Sequence, residues 1–144
     1  MNSLCQHVNL VVAADQNFVT PMVVAIFSAQ LNIGQPRLDI TVLDCGIKDK
    51  TKGEIVTFLS GLPKVAGIKF SYVDRALFRR FSTLAHVSKA AYARIAMARA
   101  KEMVGNSRVI YMDCDAIVEG DVADLFAEDL CGKTVGAVQD TKAP

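Results

Sequence analysis

The chain has 144 residues, is 51% hydrophobic and 22% charged, and carries a formal net charge of +1. That length supports one domain with a sizeable core, and the composition is that of a globular chain. Dispersed Lys and Arg at this net charge supply no basic field for nucleic acid, and no apolar run reaches the ~18 residues that span a bilayer.

The start, Met1-Asn2-Ser3-Leu4-Cys5, lacks a charged leader followed by an apolar block. No signal peptide is expected, and the expected location is cytoplasmic. Cys5, Cys45, Cys114 and Cys131 are irregularly spaced, without Cys-x-x-Cys or zinc spacing. They are expected to be free thiols.

In chain order, Val8 to Ala14 reads as a strand of the parallel-sheet kind, ending at Asp15-Gln16-Asn17-Phe18. Thr20 is placed to cap a helix with Pro21 at its first position, running to Asn32 with Gly34 just beyond. This helix is so apolar that it is expected to be buried. Leu38 to Leu43 reads as a second strand, and Asp49 as the cap of a helix to about Ser60. Gly67 to Val73 reads as a third strand, and Asp74 to Phe81 as a short helical or irregular piece. A helix from Lys89 to Val104 is closed by Gly105. Next comes Arg108 to Glu119, RVIYMDCDAIVE, read as a strand buried on both faces that breaks into Asp113 and Asp115 and resumes as Ala116-Ile117-Val118. A short helix over Val122 to Glu128 and a last strand over Val135 to Val138, delivering Asp140, complete the order. Strands alternating with helices predict an α/β sandwich with a largely parallel sheet, taken as one domain over 1–144.

In such sheets ligands bind beyond the carboxyl ends of the strands. Asp15, Asn17, Asp113, Asp115 and Asp140 all fall there, which makes that edge the expected site. In extended chain, side chains two apart share a side, so Asp113 and Asp115 can close on one cation. Their oxygen donors suit Mg²⁺ or Mn²⁺. The competing reading is a polar turn. Cys114 between them is expected to face away, into packing. Asp15 and Asn17 can read a base or ribose, or simply form a turn. Phe18 can stack on a base or join the core. Arg94 can neutralise a diphosphate or lie on a solvated face. His86 is either an acid, base or ligand, or an exposed loop residue. No Gly-x-Gly-x-x-Gly follows the first strand, and neither a Gly-Lys-Ser/Thr loop nor a Gly-x-Ser-x-Gly elbow is present. A phosphotransfer or phosphatase domain using the same aspartates remains open.

Five segments in order resemble family 8 glycosyltransferases, the group that includes lipopolysaccharide galactosyltransferases and glycogenin. They are Ala13-Ala14-Asp15-Gln16-Asn17-Phe18, Leu43 to Ile47, His86-Val87-Ser88 with Tyr92 to Ile95, Tyr111 to Asp115, and Asp121 to Phe126. The resemblance implies a GT-A (nucleotide-diphospho-sugar transferase) fold. It implies a retaining hexosyltransferase that uses a UDP-sugar donor, Mn²⁺ held by an Asp-x-Asp motif, and a saccharide acceptor. It places Ala13, Asp15, Asn17 and Phe18 on uridine, with Phe18 replacing the usual Tyr. Arg94 would meet donor sugar and diphosphate, and Asp113 and Asp115 the metal, with Cys114 inside the same cofactor-binding segment. Arg94, Asp113 and Asp140 are the catalytic candidates, and His86 and Asp140 line the sugar or acceptor side. The family's later segments, including its third metal ligand, have no counterpart here. The chain is therefore expected to correspond to the nucleotide-binding half. Peripheral membrane association through that later part and homo-oligomer formation complete the expected partners. A UDP- and metal-binding module without catalysis is the alternative function.

Overall fold

The computed structural model describes residues 6–73 and 108–137. Among these residues four strands form one wholly parallel sheet: β1 (His7–Ala14), β2 (Arg37–Asp44), β3 (Val65–Tyr72) and β4 (Ile110–Tyr111), in the spatial order β3-β2-β1-β4. The helices are α1 (Val19–Asn32), α2 (Asp49–Ser60) and α3 (Val122–Ala127), with a 3-10 turn at Gln16–Phe18. The mostly parallel α/β expectation is met.

The strand register explains the largely apolar runs of β1 and β2, which Asn9, Asp39 and Thr41 interrupt. Val8, Leu10, Val12 and Ala14 of β1 alternate toward one face with Leu38, Ile40 and Val42 of β2. There they meet Met22, Ile26 and Ala29 of α1, Ile55 and Leu59 of α2, and Val122 of α3. Val11, Ala13 and Leu43 turn to the opposite face, with Cys45 and Val73. A strand buried on both faces has no position at which a polar side chain is free of cost, so it reads as continuous hydrophobe. Each fully buried Leu, Ile or Met contributes about 1.5–3 kcal/mol.

Several boundaries differ from the sequence expectation, for identifiable reasons. α1 begins at Val19, ahead of Thr20, because Asp15 caps the preceding 3-10 turn and the chain winds directly from that turn into the helix. Pro21 then sits in the first turn, where its missing N–H costs nothing. α1 carries no charged side chain, yet it is buried on one side only. Val24 and Leu31 are 46% and 62% exposed, because no described element packs over them. α2 begins where expected, but its cap is Lys48 rather than Asp49. The stretch from Arg108 is paired only at Ile110 and Tyr111, and Ala116-Ile117-Val118 does not resume as strand. Residues 135–137 form no strand, and Val135 is 76% exposed, with no described strand paired to it. The expected elements within 74–107, together with Val138 and Asp140, lie outside the described residues.

Candidate functional site

The chain runs outward from β1 to β2 to β3, then returns to the other side of β1 as β4. Strand order therefore reverses at β1. In open α/β sheets the crevice for ligands lies beyond the carboxyl ends of the strands at such a reversal. Its two banks here are the exits of β1 and β4.

The β1 bank is Asp15 to Phe18. Asp15 is extended, and its carboxylate accepts the Asn17 N–H at 2.9 Å while its carbonyl accepts the Phe18 N–H at 3.1 Å. This local turn halts the strand and starts the 3-10 helix. Asn17 is exposed. Phe18 is half-buried against the main core, so only its outer edge is available to a base. Ala13 is 3% exposed within the second core, so only its backbone can reach a ligand.

The β4 bank follows the last ladder bond, from Met112 N–H to the Val11 carbonyl at 3.0 Å. The Asp113 carbonyl then accepts the Ala116 N–H at 3.2 Å, closing a turn over Asp113-Cys114-Asp115-Ala116. This corrects the expectation that both aspartates ride on extended chain. Both are exposed rather than buried, because β4 has already ended. Cys114 between them packs against the main core, as its position predicts. Its thiol is pushed above the ordinary value first by burial and then by the negative charge of Asp115, Asp113 and Asp15. Beyond the turn the chain crosses α1, where Val118 N–H donates to Ser28 Oγ at 2.9 Å and Asn32 Nδ2 donates to the Val118 carbonyl at 2.8 Å. These bonds seat Asp115, Ala116 and Ile117 beside Thr20, Pro21 and Val24, around a shallow depression.

Asp113 and Asp115 offer hard oxygen donors suited to a divalent ion. Among the described residues no group of three or more His, Cys, Asp and Glu side chains is arranged to hold a metal. The donors that the described residues offer here are the pair, a set that suits Mg²⁺ or Mn²⁺ when phosphates and water complete the shell. His86, Arg94 and Asp140 lie outside the described residues.

Two features of this edge had no place among the candidates read from sequence. Asp44, 3% exposed at the end of β2, accepts the N–H groups of Gly46 and Ile47 at 2.9 and 2.7 Å and pairs with Lys52 Nζ at 2.6 Å. The Asp44-Cys45-Gly46 turn signal was available, with Gly46 at φ 115°. Gln16 accepts the Lys48 N–H at 2.9 Å and reaches Thr51 Oγ1 at 3.3 Å. Those partners lie 32 and 35 residues away, beyond any local signal.

The glycosyl transferase family 8 profile matches residues 9–144. General stress protein A of Bacillus subtilis (strain 168) is 33% identical over 135 residues, which is 92% of this chain and 46% of that protein. Glycosyltransferase GlyF of Streptococcus pneumoniae serotype 4 is 31% identical over 141 residues, 94% of this chain and 32% of its own length. The chain thus spans less than half the length of these curated relatives. The galactosyltransferase LgtC, solved in complex with donor and acceptor sugar analogs, superposes with a TM-score of 0.72 at 27% identity, over 84% of this chain and 42% of that one. The sheet and helices described above are of the GT-A type, and the chain belongs to glycosyl transferase family 8.

Proposed function

We propose that this chain is the donor-binding part of a retaining hexosyltransferase that takes a UDP-sugar with Mn²⁺ or Mg²⁺ and passes the sugar to a saccharide acceptor in the cytoplasm. The observation that carries this reading is the meeting of the Asp113–Ala116 turn and the Asp15–Phe18 loop at the strand-order reversal. Support comes from family membership and from the likeness to LgtC.

In this reading Asp113 and Asp115 hold the cation. When bound, it supplies positive charge opposite the diphosphate that departs with the nucleotide. Asn17 and Asp15 orient the uridine, with Ala13 contributing backbone and Phe18 its exposed edge. Cys114 anchors the acidic turn to the core. The family resemblance assigns Arg94 to the diphosphate and donor sugar, and His86 and Asp140 to the sugar or acceptor side. The second reading is a module that binds UDP and metal without transfer. It differs from the first only in whether sugar is transferred.

Titration calorimetry with UDP, with and without Mn²⁺, tests the binding. Loss of an outer-shell partner already weakens metal sites on the order of 10- to 100-fold. Asp113→Asn and Asp115→Asn should therefore each lower Mn²⁺-dependent UDP affinity by about 100-fold. Their melting temperatures should stay within about 2 °C, because both side chains are exposed. UDP binding indifferent to Mn²⁺ and to both substitutions would overturn the metal-bridged reading. Sugar release from a labelled UDP-hexose, measured on the same protein, separates transfer from binding alone.

A further inference from the structure

We propose that Gln16 is a positioning residue for the nucleotide-binding loop, acting through α2 rather than by touching ligand. This rests on the UDP-binding reading above and identifies what holds its first bank in place.

The geometry has three parts. Gln16 lies between Asp15 and Asn17, inside the loop that forms the β1 bank. Its side chain points away from the loop to the first turn of α2. There Oε1 accepts the backbone N–H of Lys48 at 2.9 Å, and Nε2 donates to Thr51 Oγ1 at 3.3 Å. Lys48 is the cap residue of α2 and makes no side-chain cap bond of its own. Thr51 is the third residue of the helix.

The first N–H groups of a helix have no partner within it. In a capping box, the side chain at the third helical position reaches back to the cap residue's N–H. Thr51 occupies that position but is too short for this reach. Gln16 supplies the missing acceptor from another element and engages Thr51 as well. One carboxamide thus completes the start of α2 and pins the β1 exit loop with the same two bonds. Inside the loop, the Asp15 carboxylate and carbonyl accept the N–H groups of Asn17 and Phe18. Its two ends are set by β1 and by α1, with Phe18 on the core, whereas Gln16 ties its middle sideways to a third element. That element is a firm point of attachment, because α2 is anchored by Ile55 and Leu59 in the core and by Lys52 on Asp44. Asn17, the exposed member, is held at the edge by its neighbour.

Four variants of the full chain test this: Gln16→Leu, Thr51→Val, the two together, and Gln16→Glu. The first readout is amide hydrogen exchange at Asn17 and Phe18, against the β1–β2 ladder as reference. The second is UDP affinity in the presence of Mn²⁺. Gln16→Leu should speed exchange at both amides and weaken UDP about three- to tenfold, the range that one net side-chain hydrogen bond spans. Thr51→Val lies on another element, yet it should act in the same direction, about two- to threefold. The double variant should be no worse than Gln16→Leu alone, since both remove one tie. Gln16→Glu should recover affinity to within about twofold, because a carboxylate accepts from both the Lys48 N–H and the Thr51 hydroxyl. A purely structural role would lower the melting temperature and leave the affinity of the folded protein unchanged. Unaltered exchange at Asn17 and Phe18 in Gln16→Leu and Thr51→Val would overturn the positioning role, whatever the ligand result. If the unsubstituted chain binds no UDP while exchange responds as expected, the tie stands and the UDP reading falls.

Discussion

Replacement of Asp44 probes the joint between β2 and α2. Its carboxylate is buried and holds three partners: the N–H groups of Gly46 and Ile47, and Lys52 Nζ at 2.6 Å. Removing one member of a buried pair costs about 3–5 kcal/mol, and each bond to a charged acceptor contributes about 1.5–3 kcal/mol. Lys52 is not stranded by the loss, because it is 26% exposed and keeps Asp49 at 3.2 Å. Asp44→Ala should therefore cost about 4 kcal/mol, toward the middle of the first range. Asp44→Asn retains an acceptor for the two N–H groups and loses only the charge facing Lys52, so about 2 kcal/mol is expected. In urea titrations with an unchanged slope, the midpoints should fall by about 2 M and 1 M. Acid supplies the second arm. Burial pushes the Asp44 carboxyl up, but Lys52 and the Ile47 and Gly46 N–H groups outweigh it and hold the group below its ordinary 3.8. A lowered folded-state value means stabilisation that is complete above the unfolded value and lost as pH falls through the folded one. The gap between the parent and Asp44→Asn should persist from pH 7 to about 4.5 and close below 3.8. A gap that ignores pH, or an Asn variant as costly as Ala, would refute the assignment of the stabilisation to the Lys52 pair.

Two further substitutions read the packing of α3. A Cβ at Gly34 would stand 2.7 Å from Asp121 Oδ2, the atom that accepts the Gly34 N–H at 2.9 Å. Gly34→Ala should cost about 1–2 kcal/mol, or about 3–6 °C in melting temperature, and much less in an Asp121→Ala background where the clash is gone. Arg108 Nη1 donates to the carbonyls of Phe126 and Glu128, both at 2.6 Å, and so closes the end of a helix of only six residues. Arg108→Met should lose about 1–2 kcal/mol in equilibrium unfolding, with Lys recovering part of it.

The parallel sheet was legible because its cause is local. Val8 to Ala14 is apolar but for Asn9, and Leu38 to Leu43 is apolar but for Asp39 and Thr41, a pattern that in 144 residues with intervening helices has few homes other than a two-sided sheet. Helix ends were less legible where their partners are distant. The sequence offers Thr20 as a cap, but Asp15 reaches Asn17 first and the helix starts earlier. It offers Asp49 at the start of α2, but the N–H of Lys48 is taken by Gln16, a side chain from another element. Val135 to Val138 has the apolar content of a strand, but the described part of it has no neighbour to pair with, and hydrophobicity alone does not make a ladder.

The acidic pair shows where period-two reasoning stops. Placing Asp113 and Asp115 on one side requires extended chain through both, and the sequence does favour a strand up to Met112. Only the i to i+3 bond from Ala116 to Asp113 shows that the strand ends one residue too soon for that premise. The consequence is chemical as well as geometric. On a turn the two carboxylates face water, so neither needs a counter-ion to be tolerated there, and burial cannot serve as the reason they are present. What survives is the topology. The turn is planted beside the β1 exit by the Met112–Val11 ladder bond and by Val118 on Ser28. Its central thiol feels Asp15 from the opposite bank. These bonds hold the acidic turn and the Asp15 loop on the two banks of one strand-order reversal, the place where open α/β sheets bind ligands, so it is position rather than burial that makes the pair a candidate site.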